Sequence, residues 1–227
     1  MKAKCKRELI LSIIFLGLFL LLTFLIQIVD RKPIGANGTL VGFATLNGKI
    51  HEIIGVNMSL YVITDWLGLV PIFICMGFGV LGLVQLVKEK NLFKVDLDIF
   101  ILGFYYIIVI IGYLVFEMIP INYRPILING YLEPSYPSST TLLVLSVMPT
   151  LTFEIRRRIK SVAVKRVISL FVITFSAFML VGRLVSGVHW FTDIAGALFL
   201  SLGLFYGYKF LVFKLEKRKI LGGKLWN

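Results

Sequence analysis

The chain has 227 residues, 58% of them hydrophobic, and a mean hydropathy of +0.92. Folding in water would leave too little polar surface to cover such a composition, which excludes a soluble globular class and reads as an integral membrane protein. The net charge of +12 arises from 24 Lys and Arg against 12 Asp and Glu, and where those charges fall decides what they mean.

Taken in order, the apolar runs predict about six crossings, near residues 9–29, 66–87, 99–118, 140–155, 167–181 and 194–213. Most approach the roughly 20 apolar residues a helix needs to span hydrocarbon; the fourth and fifth are short as drawn. The first run follows basic residues, as a signal peptide would. Its length and the lack of a small-x-small cleavage site make it an uncleaved anchor instead. Cys5 lies in the tail before it, as a plain thiol or a lipidation site, and Cys75 lies inside the second span, so the two cannot pair.

With both termini cytoplasmic, nineteen basic residues fall on the inner face, in the N-terminal tail, around Lys88 to Lys94, around Arg156 to Arg166, and in the C-terminal tail. Only Arg31, Lys32, Lys49, Arg124 and Arg183 fall on the other face. Such a bias follows the positive-inside rule and suits an even number of spans. The charge is thus an orientation signal that also favours anionic lipid headgroups. Nucleic acid is not an expected partner, because the basic residues are divided among four inner segments. The expected location is the plasma (cytoplasmic) membrane, multi-pass.

The first outer loop, 30–65, is rich in glycine, a turn former. Its stretch 50–61 reads either as a short helix in the interface or as an irregular loop. Asn37-Gly38-Thr39 and Asn57-Met58-Ser59 match the glycosylation triplet, a pattern common by chance. No repeat, low-complexity tract or long linker divides the chain. The expected fold is therefore all-α, one polytopic helical bundle over 1–227 with its motif-bearing core at about 97–213.

Two polar sets interrupt the apolar pattern on the outer side. The third outer loop supplies Asn122-Tyr123-Arg124-Pro125, with a proline restricting the residue before it. It then supplies Pro137-Ser138-Ser139-Thr140, whose serines open the fourth span. A serine cap with free N–H groups behind it makes an anion site at a helix start, or simply an ordinary cap. The second set, 182–193, places Arg183, His189 and Asp193 between two apolar runs. Ionisable groups beside hydrocarbon default to a functional site, with a buried ion pair as the structural alternative. His189 and Asp193 are four residues apart, which on a helix puts them on one face. The carboxylate can then take the imidazole Nδ1–H and leave Nε2 as base or nucleophile. Arg183 offers the planar fork that suits phosphate oxygens. If the sets meet, they can bind and transfer a phosphoryl group, a reaction that depends mostly on positioning and charge.

These residues resemble the type 2 phosphatidic acid phosphatase (PAP2) superfamily, whose motifs are Lys-x6-Arg-Pro, Pro-Ser-Gly-His and Ser-Arg-x5-His-x3-Asp. Here they fall in that order between Glu117 and Asp193. The third is in register at Arg183, His189 and Asp193, with Gly182 replacing its serine. The resemblance implies a nucleophilic His189 that forms a phosphohistidine, an orienting Asp193, and clamps at Arg183 and Arg124. It further places Ser138, Ser139 and Thr140 at the phosphate, and implies that no metal or other cofactor is needed. Two positions depart from the pattern: Glu117 stands for the lysine, and Thr140 for the histidine that protonates the leaving group.

A threonine hydroxyl is too weak an acid for that role near neutral pH. A phosphate monoester must expel an alkoxide and needs the proton. A lipid diphosphate expels a phosphate whose second pKa is about 6, and needs none. The expected activity is thus hydrolysis of a lipid phosphate or, preferentially, a polyprenyl diphosphate at the outer face, with Glu117 or Glu133 as a substitute acid. The alternative is a catalytically silent relative that binds lipid phosphates as a sensor, carrier or scaffold. A transporter finds no ionisable residue at the centre of a span, and a haloperoxidase would be soluble. With His51 and His189 the only histidines, no zinc ligand set is apparent.

Overall fold

The structure is a computed structural model that describes residues 2–91 and 94–223; Lys224, counted above toward the inner face, lies outside the described residues. Its helices are α1 (Lys2–Ile26), α2 (Ala44–Ile54), α3 (Met58–Leu67), α4 (Leu69–Glu89), α5 (Leu97–Met118), α6 (Ser139–Arg158), α7 (Val162–Val185) and α8 (Phe191–Gly223). Among the described residues, extended chain pairs only as isolated bridges, so the fold is all-α. Five stretches are long and apolar enough to cross a membrane: Ala3–Ile26, Met58–Glu89, Leu97–Met118, Val162–Val185 and Phe191–Lys217.

The expected crossing at 140–155 is realised as α6, but it is a different kind of helix. It carries several hydroxyls, an internal Pro149 and three terminal arginines, and it packs against α4, α5, α7 and α8. A helix wrapped by other helices need not be apolar, because neighbouring side chains satisfy its polar groups. The Tyr105 hydroxyl donates to the Ser146 carbonyl at 2.9 Å, and Thr150 shares a 2.7 Å hydrogen bond with Tyr106. Both bonds lie in the turn that Pro149 leaves without one N–H.

In the first outer loop the helical alternative holds, but as two helices. Gly55, at φ 68, ends α2, and the Asn57 side chain caps α3 by accepting from Leu60 N–H at 2.9 Å. That asparagine, one of the two triplet residues, is thereby used in the fold.

α1 and α8 run antiparallel along their length. Gly203 lets α1 approach closely: a Cβ there would meet Leu16 Cγ at 2.8 Å. The Ser12 hydroxyl reaches the Gly203 carbonyl at 2.8 Å. Small residues give this contact because lipid supplies no hydrophobic force between helices, leaving close packing to do so. At one end of the bundle the buried Glu8 pairs with Lys209 at 2.7 Å. At the same end buried Glu154 accepts from the Tyr208 hydroxyl at 2.6 Å, and Arg158 joins Asp98 at 2.7 Å. At the other end Thr23 shares a 2.8 Å hydrogen bond with the Tyr136 hydroxyl. The start of α1 and the close of α8 therefore lie opposite the end that carries Tyr136.

Tyr136 fixes the loop before α6. Its ring stacks on Phe19 with centroids 6.1 Å apart, and it lies directly over Gly196 of α8, where any Cβ would collide with it.

Gly203→Val should overpack the α1–α8 contact and destabilise the protein by about 1–3 kcal/mol, read as an earlier thermal transition in detergent. Gly77→Ala, in open space on α4, should leave that transition unmoved or slightly later.

Candidate active site

The α7–α8 turn carries the histidine. Helix α7 ends at Val185, and Gly187, at φ 69, turns the chain in a conformation that L side chains rarely adopt. His189 therefore stands in the turn ahead of α8, not on a helix face, while Asp193 sits in the first turn of α8. The two side chains stay near each other, although beyond hydrogen-bond distance. Asp193 Oδ2 lies 3.7 Å from His189 Nδ1 and accepts the Trp190 N–H at 2.9 Å. Asp193 thus folds back over the residues before its helix, much as an N-terminal cap does.

On its other side the imidazole meets Arg183, whose Nη2 lies 3.2 Å from His189 Nε2. A guanidinium only donates, so Nε2 must accept and the ring proton sits on Nδ1, toward Asp193. The lone pair a nucleophile needs is therefore held on the side where the cation stands. Burial first, and then the positive charges of Arg124 and Arg183, hold His189 well below its ordinary value of 6.5, so the ring is neutral at physiological pH.

Arg183 is 1% exposed, and its pairing with Asp65, 3.6 Å away, is loose. Its Nη1 reaches the Thr64 hydroxyl at 3.4 Å. Arg124 enters from the loop between α5 and α6, with its Nε 3.1 Å from a Glu133 carboxylate oxygen. The Tyr61 ring lies 5.0 Å from the Arg183 guanidinium and 5.8 Å from that of Arg124, so one aromatic ring serves both cations. The two loops are also tied directly. Trp190 Nε1 donates to the Tyr123 carbonyl at 2.7 Å, and Ser138 N–H donates to the Asp193 carbonyl at 3.1 Å.

A polar cavity of about 310 Å³ opens here, lined among others by Arg124, His189, Glu117, Glu133 and Ser139. A second, largely apolar cavity of about 550 Å³ adjoins it along α4, α5 and α6 and shares Tyr113 and Ser139 with it.

Not every residue singled out in the sequence faces the polar cavity. The Ser138 hydroxyl is buried and shares a 3.0 Å hydrogen bond with Thr141. It does not cap the helix with its side chain. Thr140 lines the apolar cavity and faces Gly68, between α3 and α4. A helix start turns successive side chains by about 100°, so of the three hydroxyls only that of Ser139 borders both spaces. Tyr61, Thr64 and Asp65 escaped the sequence reading. Asp65 did carry a signal, being a carboxylate at the head of an apolar run, the same criterion that singled out Arg183. Among the described residues, no group of three His, Cys, Asp or Glu side chains is placed to hold a metal ion.

Fold and site define a polytopic membrane protein with a polar cavity at one end of its helices, lined by His189 and Arg124 and by Glu117 and Glu133, with Arg183 against the histidine. Residues 99–217, more than half of the chain, match the PAP2 superfamily, and the protein belongs to it. Among solved structures it resembles a transmembrane PAP2-type phosphatidylglycerolphosphate phosphatase from Bacillus subtilis, with a TM-score of 0.61 at 16% identity over 90% of this chain and 96% of that one. No curated protein matches it in sequence. Family and fold together support a lipid phosphatase in general terms.

The depressed His189 has a consequence for stability. As pH falls below 6.5, the unfolded chain binds a proton that the folded site excludes, so stability is full above that value and declines beneath it. Thermal unfolding followed from pH 8 to pH 5 should show this decline in the wild type and a flatter profile in His189→Gln. An equal decline in both would contradict the neutral, buried imidazole.

Proposed function

We propose that the protein is a membrane lipid phosphatase that acts through a phosphohistidine at His189 and prefers a lipid diphosphate, such as a polyprenyl diphosphate, to a monoester. The observation that carries this reading is Arg183 Nη2 at 3.2 Å from His189 Nε2, beside a second buried arginine across one tyrosine ring. A terminal phosphate that displaces the Arg183–His189 contact meets the nucleophile on one side and cations around its oxygens.

The chemistry then runs in two steps. The Nε2 lone pair attacks the terminal phosphorus, an N–P bond forms, and the bridging P–O bond breaks. The lipid monophosphate leaves with the electron pair. Nδ1 keeps its proton, and Asp193 balances the positive charge that the ring acquires. Water then attacks the phosphohistidine, the N–P bond breaks with its electrons returning to Nε2, and inorganic phosphate departs. Arg183 and Arg124 hold the oxygens on which charge develops in both steps.

The preference for an anhydride rests on what faces the reacting centre. Thr140 borders the apolar cavity, and of the carboxyl groups lining the polar one Glu133 is paired with Arg124, leaving Glu117. We assign the apolar cavity to the first part of the lipid chain, because it meets the polar one at Ser139. The charge bias of the sequence supports an extracytoplasmic location for this end of the bundle. A second reading, a silent relative that binds lipid phosphates without turnover, is favoured by Thr140, which lines the apolar cavity and leaves the polar one with His189 as its one histidine among the described lining residues.

Purified protein should release phosphate from farnesyl or undecaprenyl diphosphate faster than from phosphatidate, and His189→Ala should abolish release. Tight binding without release would instead establish the silent reading. Release unaffected by His189→Ala would remove the nucleophile.

A further inference from the structure

The residues that hold the His189 turn come largely from the first outer loop, outside the stretch that matches the family. Asn47 of α2 is fully buried. Its Nδ2 donates to the Gly42 carbonyl at 2.8 Å and to the Thr192 hydroxyl at 3.0 Å, while its Oδ1 accepts the Thr192 N–H at 3.2 Å. That N–H is one of the free donors at the start of α8, so a side chain 145 residues away along the chain caps the helix that carries Asp193.

One turn further along α2, His51 Nε2 lies 3.0 Å from the Gly187 carbonyl. A carbonyl only accepts, so His51 carries its proton on Nε2. Its ring also packs against that of Trp190, with centroids 5.4 Å apart. Beyond α2, Asn57 N–H donates to the Ser186 carbonyl at 3.0 Å, and the Gly55 carbonyl abuts Gly187 so closely that no Cβ fits there. Ser186, Gly187, Trp190 and Thr192 are thus all gripped from one segment, and His189 lies at the centre of the grip. Neither Asn47 nor His51 lines the polar cavity among its described lining residues.

We propose that Asn47 and His51 are positioning residues: α2 clamps the turn and sets the direction of His189 Nε2 toward the phosphate, without touching it. The inference rests on His189 being the nucleophile, and it adds a specific physical cause for the nucleophile's orientation. Misplacing a reacting group by about 1 Å costs on the order of 10²-fold in rate. Losing a clamp therefore lowers kcat while the arginines still bind the phosphate.

The test combines steady-state kinetics on undecaprenyl diphosphate with hydrogen exchange of the peptide spanning residues 186–194, using the full chain in detergent. Asn47→Ala and His51→Ala should each lower kcat by about 10–10²-fold with KM changed less than about threefold. They should also speed exchange in that peptide while leaving the thermal transition close to that of the wild type. His51→Gln, which can present an amide N–H to Gly187, should recover most of the rate. Ile53→Ser, on the exposed side of α2, should behave as the wild type. Unchanged kcat and unchanged exchange in the alanine variants overturn the proposal, as does a loss of rate that His51→Gln shares in full. If Asn47→Ala does not fold, His51→Ala and His51→Gln decide the matter alone. If the wild-type protein releases no phosphate, the catalytic reading fails, and exchange in the peptide still judges the clamp.

Discussion

A guanidinium buried to 1% exposure, with only a loosely placed carboxylate 3.6 Å away for company, is the constraint around which this end of the bundle is organised. Removing such a charge from water costs several kcal/mol unless hydrogen bonds and counter-charges replace the hydration. Arg183 receives a hydroxyl, an aromatic face and a neutral imidazole, none of which cancels its charge. Arg124 adds a second cation across the same tyrosine. Arg124 is paired with Glu133 and Arg183 only loosely with Asp65, so an anion that reached Arg183 would meet a charge not yet closely paired. Burial first, and then the field of the two arginines, keep His189 unprotonated, so the cations that would hold a phosphate also help preserve the lone pair that would attack it.

The helices serve to bring three separate stretches of chain to that point and keep them there. Tyr136, wedged between Phe19 and Gly196 and bonded to Thr23, joins the loop before α6 to both α1 and α8. Trp190 and Ser138 then tie that loop to the α7–α8 turn by bonds to backbone carbonyls. At the far end, Glu8 pairs with Lys209 across α1 and α8, and Arg158 with Asp98 across α6 and α5. The far end thus carries closely paired charge, whereas at the reacting end the carboxylate nearest Arg183 stands 3.6 Å away.

Much of this was legible in the sequence because it depends on local composition. Continuous apolar runs mark the five crossing helices, and Arg124, Arg183, His189 and Asp193 stand out as polar residues against them. Helix α6 was legible as a helix but not in its character, since burial among other helices, rather than contact with lipid, permits its hydroxyls and Pro149. The directions of the Ser138 and Thr140 side chains were not legible either. They depend on the rotation of one helix start against α4, and a one-residue difference moves a hydroxyl from one cavity to another. The long-range partners Asn47, His51 and Tyr61 leave no periodic trace, because a polar contact across more than a hundred residues produces no pattern near either partner.

The central claim is that His189 Nε2 itself becomes bonded to phosphorus. The direct measurement is to mix the protein with a lipid diphosphate carrying 32P in its terminal group, quench within one turnover in alkali, and map the label by peptide. The account predicts an alkali-stable, acid-labile phosphate on the peptide that contains His189, absent from His189→Ala. Release of labelled phosphate from wild-type protein at full rate, with no label ever found on that histidine, would contradict it.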